Sequence, residues 1–161
     1  STGAVTTRMS SGMPDLTGLS VSDVATASTL TLAADTISVV DYTGAAAAAC
    51  TLPAATAGTV VVYAQAKDTT GGTATLSFDC AGSDVFATGS VIESRGSSEV
   101  TFDTSAAGET LLTFTPANAA TNLFTTGSMI AFICYEDGTY HIASKMGGAA
   151  DAVKGAFVFA S

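Results

Sequence analysis

From Ser28 onward, apolar and polar positions alternate with a period of two, the spacing at which an extended strand sends successive side chains to opposite faces. "STLTLA" sets Leu30 and Leu32 between threonines, "DTISVVD" puts Ile37 and Val39 on one face, and "TATLSFD" does the same with Leu76 and Phe78. "TVVVYAQA", Thr59 to Ala66, is apolar almost without a break, the pattern of a strand covered on both faces. Further strands are predicted at "SVIE", "EVTFD", "TLLTFT", "SMIAFICYE", "TYHIA" and "AFVF". Turn-forming residues separate them at 69–72, 81–84 and 107–109. Asp137-Gly138 reads as a two-residue hairpin turn, because both of its central positions need positive φ. About ten short strands, with turns roughly every 8–12 residues, predict an all-β fold: an antiparallel β-sandwich, jelly-roll-like, built by residues 19–161 as a single domain. Residues 1–18 are polar and rich in Gly and Ser, and are expected to form an extended N-terminal arm. A helical turn or two is expected within residues 19–26, with Ser20 or Ser22 as cap.

The stretch "TGAAAAACTLP" interrupts the alternation. Alanines favour a helix, but an isolated helix needs about 12–15 residues even when Ala-rich. Gly44 precedes the run, and Pro53 biases Leu52 away from helical backbone. Ala45 to Leu52 is therefore expected to be extended. Methyl side chains let another sheet or subunit approach closely, which makes Ala46, Ala47 and Ala48 candidate subunit contacts. The C-terminal "GAFVFAS" alternates Phe157 and Phe159 with Val158. It completes a sheet either in its own subunit, as a last core strand, or in a neighbour, where Phe157 and Phe159 become subunit contacts.

Composition narrows the partners. The 161 residues carry a net charge of -9, which argues against nucleic acid and anionic membranes, since both are held by Lys and Arg. Only 12% of residues are charged, against about 25% in an ordinary domain. A mean hydropathy of +0.44 accompanies this, yet no apolar run approaches the ~18 residues of a spanning helix. The surplus apolar surface is expected to be hidden between subunits. No charged segment followed by an apolar one opens the chain, so no secretory leader is read there. Cys50, Cys80 and Cys134 are odd in number and widely spaced, and are expected to be buried thiols made in a reducing cytoplasm.

Candidate chemistry is sparse. His141 is the single histidine, in a strand pattern and without a recognisable catalytic partner. No G-x-S-x-G elbow, zinc-type Cys/His spacing or phosphate loop is present. Asp68, Asp79, Asp84 and Asp103 are of the type that binds calcium, but none lies in a D-x-D-x-D-G loop, and aspartate is a favoured turn residue for local reasons. Without Trp the chain lacks the broad aromatic faces common in sugar-binding clefts. The chain is read as no enzyme, with no cofactor and no metal.

"CTLPAATAGTVVVYAQA", then "GSDVFATG", then "FICYEDGTYHIAS" together resemble a module of bacteriophage structural proteins, found in capsid decoration (cement) proteins, head fibres and some tail proteins. The resemblance spans about residues 28–144; the closing hairpin carries Tyr140 where that module usually has Trp. It implies a homotrimer on the outside of an assembled virion shell, partnered with the major capsid protein and clamping neighbouring capsid subunits, with the chain synthesised in the host cytoplasm. On that implication Val5, Arg8, Met9 and Met13 of the arm are candidate capsid contacts. The alternative is a tail or fibre module that binds a receptor or glycan.

Overall fold

The period-two pattern is realised as strands, and the computed structural model describes residues 19–24, 26–69, 72–95, 100–116, 126–145 and 155–161. In chain order the strands are β1 (Leu19–Val24), β2 (Ser28–Thr31), β3 (Thr36–Tyr42), β4 (Ala48–Thr51), β5 (Val60–Gln65), β6 (Leu76–Asp79) and β7 (Val85–Phe86). They continue as β8 (Val91–Arg95), β9 (Val100–Thr104), β10 (Leu111–Pro116), β11 (Met129–Glu136), β12 (Thr139–Lys145) and β13 (Gly155–Ala160). A six-stranded sheet has the order β1-β3-β5-β11-β12-β7 and a five-stranded sheet the order β13-β10-β6-β4-β2, while β8 and β9 form a separate hairpin.

The all-β sandwich expected from the sequence is thus what forms, with a mixed pairing. Antiparallel ladders join β5 to β11, β11 to β12, β6 to β10, β10 to β13 and β8 to β9. Parallel ladders join β1 to β3, β3 to β5, β2 to β4, β4 to β6 and β7 to β12. From β1 to β6 the chain changes sheet at every connection, winding as a flattened parallel coil. That winding replaces the wholly antiparallel, jelly-roll-like path. The reason is physical: a turn that switches sheets and a turn that folds back as a hairpin use the same residues, and side chains alternate identically in both ladders. Asp137-Gly138 does make its hairpin, between β11 and β12.

Two local expectations meet the structure differently. Residues 19–24 are strand, not helical turn, because six successive positions pair with β3, from Leu19 opposite Ile37 to Val24 opposite Tyr42. The alanine run forms no helix: Ala48–Thr51 is strand β4, laid between β2 and β6. The expected arm, residues 1–18, lies outside the described residues.

The core fills the space between the sheets. Phe78 of β6 reaches across to Tyr63 of β5 and Phe132 of β11, with ring centroids 5.2 and 5.1 Å apart, and Phe86 of β7 meets Phe159 of β13 at 5.4 Å. Each such buried side chain contributes about 1.5–3 kcal/mol relative to exposure. Gly72 shows how close the backbone comes at one end. Its φ is +137°, and a Cβ there would lie 1.9 Å from the Gly44 carbonyl oxygen. Gly72→Ala is therefore expected to push the 43–46 and 72–75 segments apart and break the Ala74 N–H to Gly44 carbonyl bond, 3.1 Å long. The expected cost is about 2 kcal/mol, read as a lower urea midpoint; an unchanged midpoint contradicts this packing.

Candidate functional site

The three segments that carry the phage resemblance are far apart in sequence and meet at one end of the sandwich. Asp84 accepts a hydrogen bond from the Ala55 N–H at 2.6 Å, and Asp137 accepts one from the Ala57 N–H at 2.8 Å. The Gly138 N–H donates to the Ala55 carbonyl at 2.8 Å, and the Tyr140 hydroxyl to the Pro53 carbonyl at 3.0 Å. Gly58 N–H donates to the Cys134 carbonyl, also at 2.8 Å. Loop residues 53–58 are thus pinned by side chains of the other two segments, and these motif residues hold the fold together.

The candidate chemistry is spent in the same way. Asp68 accepts from the Thr126 N–H at 2.7 Å and Asp103 from the Phe159 N–H at 2.9 Å, so these carboxylates, like Asp84, serve as backbone anchors. Among the described residues no three His, Cys, Asp or Glu groups gather as a metal site. His141 packs edge-on against the exposed Tyr135 at 4.9 Å. The three cysteines are buried and unpaired by disulfides, as expected. At the opposite end, the inward Gln65 is satisfied by the Tyr63 hydroxyl at 2.5 Å and by the Tyr42 and Lys67 carbonyls at 2.7 and 2.6 Å.

Burial gives these groups a pH signature. The Cys50 and Cys80 thiols are each pushed up from 9.0 to about 12, chiefly by desolvation, and the buried Tyr63 hydroxyl is raised in the same direction. The folded chain keeps protons that the unfolded chain releases first, so this stabilisation is complete below about pH 9 and is lost as pH rises toward about 12. Urea midpoints are expected to fall progressively above about pH 9; a midpoint level to pH 11 contradicts the burial of these groups.

No family model, curated protein or solved structure matches this chain. The site is therefore argued from its surfaces.

The outward positions of the six-stranded sheet are apolar along β5 and β11 and at Ile37 and Val39 of β3, and the apolar surface reaches β12 at Ala143. Ile37, Val62, Ala131 and Ala143 stand side by side in one row. Val39, Ala64 and Met129 form the next, ending at Lys145, and Val60 and Ile133 flank the first row on its other side, ending at His141. Tyr135, 69% exposed, extends the patch. Charge enters the rows only at their ends: at Lys145 of β12, opposite Met129, and at Asp41 of β3, which pairs with Lys67 at 2.5 Å. The outer face of the five-stranded sheet differs: its central row reads Thr29, Ala49, Ser77, Thr113 and Val158. One face is suited to water and the other to protein.

This face is not where the sequence placed subunit contacts. Ala48 is 1% exposed, and Phe157 and Phe159 are buried in the chain's own core, so their side chains cannot meet a neighbour. Ala46 and Ala47 are half-buried at the connection before β4. Between the two phenylalanines, Val158 is the outward residue. Val5, Arg8, Met9 and Met13 lie outside the described residues. The signal for the true apolar face was the unbroken "TVVVYAQA" run. It predicted cover on both faces of β5, and within this chain β5 is covered on one: Val61 and Tyr63 are buried, while Val60 is exposed and Val62 half-buried.

Proposed function

We propose that this chain is a non-enzymatic structural protein of a virus particle, a capsid decoration (cement) protein that binds the outside of the assembled shell as a homotrimer and stabilises it. The uncovered apolar face of β5 and its neighbours carries the reading. A strand with the composition of a doubly covered one, left bare on one side, calls for a second protein surface there. The phage-like segments and their interlocking end agree with it.

The face has the dimensions of a trimer interior. Four strands at ~4.8 Å spacing make it about 19 Å wide, and three such faces around a three-fold axis stand about 5.5 Å from that axis. Half the ~10 Å separation of packed sheets is nearly the same, so side chains from three copies meet at the axis without a hole. Closure also suits the charge: in a chain at -9, the row Ile37, Val62, Ala131 and Ala143 carries no charged residue, so copies meet there without opposing carboxylates.

Stabilisation follows from selectivity. A protein that binds the assembled shell and not its loose subunits shifts the equilibrium toward the shell by mass action, and repetition over the surface adds avidity. Particles lacking this chain are expected to rupture at a lower temperature than particles carrying it, with the difference restored by adding purified chain. Equal rupture temperatures, or failure of the purified chain to bind particles, would remove the reading.

A further inference from the structure

Of the chain's four tyrosines, Tyr42, Tyr63 and Tyr140 are fully buried. Tyr135 is the opposite case, the most exposed large apolar or aromatic side chain among the described residues. An irregularity in the ladder puts it there. β11 and β12 pair at Ile133 with His141 and again at Glu136 with Thr139, so Cys134 and Tyr135 together stand opposite Tyr140. Two residues against one is a β-bulge, which re-aims a side chain at the cost of regular ladder bonds. Cys134 and Tyr140 keep the buried, inward places, and Tyr135 is turned out. The bulge is pinned from β5's side: the Cys134 N–H donates to the Thr59 carbonyl at 2.9 Å, and the Cys134 carbonyl accepts from the Gly58 N–H at 2.8 Å. On the outer face the ring rests edge-on against His141. The core gains nothing from a ring held outside it. A ring held this firmly loses little rotamer freedom when a partner covers it, and Tyr is enriched among the residues that carry interface energy.

We infer that Tyr135 anchors the contact between copies, each ring packing against a neighbouring copy at one end of the three-fold axis. The inference rests on the trimer reading and adds to it the residue on which the contact most depends. Two observations select a second copy as the occupant. The ring continues the face already assigned to the copies, since it follows Ala131 and Ile133 along the outer side of β11. β11 also lies beside the midline of β3, β5, β11 and β12, so the Tyr135 backbone stands about 2.4 Å from that midline, half the ~4.8 Å strand spacing. Three rings then converge on the axis and shield the end of the apolar seam from water. His141, the single histidine, serves there as the prop that orients the ring.

Fluorescence tests this, because the chain has no tryptophan. In Tyr135→Trp the single indole is expected to be shielded from acrylamide at concentrations where native mass spectrometry shows three copies, and freely quenched on dilution to one. Tyr135→Ala is expected to raise the concentration at which the trimer dissociates at least about 30-fold. Its urea midpoint, measured on the monomer, should match the parent's, since the side chain lies outside the core. Val158→Ala, a truncation on the outer face of the other sheet, is the control and should leave the trimer unchanged. An indole quenched equally in trimer and monomer, or an alanine variant that dissociates at the parent's concentration, overturns the anchor while the trimer reading stands. A parent chain that is monomeric at every concentration overturns both.

Discussion

Val62→Glu is expected to abolish the trimer while leaving the monomer folded. Val62 faces outward from the middle of β5, half-buried between Ile37 of β3 and Ala131 of β11. In the monomer a glutamate there reaches water at little cost. In the trimer it would bring three carboxylates to an apolar axis with no cation in the row of Val62, and an unpaired buried charge costs several kcal/mol. Native mass spectrometry and light scattering are expected to show the parent as three copies and the variant as one, with the trimer population reduced more than about 100-fold. Thr113→Glu, on the hydroxyl-bearing outer face of the other sheet, is the control and should leave the trimer intact. If Val62→Glu remains trimeric, the outer face of the six-stranded sheet is not the subunit contact.

Phe78→Ala is expected to produce the largest loss of stability of any single core truncation named here, about 3–5 kcal/mol. Phe78 is fully buried on β6, and its ring touches Tyr63 and Phe132 from the opposite sheet. Truncation removes the side chain that joins the sheets at their centre and leaves a cavity that β5 and β11, fixed by their own ladders, cannot collapse to fill. Because a domain holds only about 5–15 kcal/mol, the urea midpoint should fall by a third or more with little change in slope. A loss below about 1 kcal/mol would mean the sheets are held together elsewhere.

How far the fold was legible follows from what period two encodes. It marks where strands are, so β2, β3, β5, β6 and β8 to β13 fall on the predicted segments, with Leu76 and Phe78 in the core, while Ile37 and Val39 share a face that turns out to be the outer one. It does not encode strand direction, because side chains alternate identically in parallel and antiparallel ladders, and the coil from β1 to β6 was read as antiparallel for that reason. β1 was missed since "LSVSDV" alternates weakly and its serines also suit a helix cap.

The candidate face was half legible. The continuous apolar run at β5 demanded cover on both sides, but only the sheet order shows that β3, β11 and β12 extend the same bare surface. The alanines and terminal phenylalanines misled because smallness and hydrophobicity suit an interface and a core equally, and here the core claimed Ala48, Phe157 and Phe159. Asp84 and Asp137 looked like turn residues or metal ligands; their partners, Ala55 and Ala57, are distant in sequence, and no local pattern reveals such a bond.

The measurement that bears most directly on the central claim is the copy number of this chain in purified virus particles, by quantitative mass spectrometry against the major shell protein. A decoration protein predicts a fixed simple ratio to the shell subunits, with copies in proportion to the whole surface. A handful of copies per particle, or none, would contradict it.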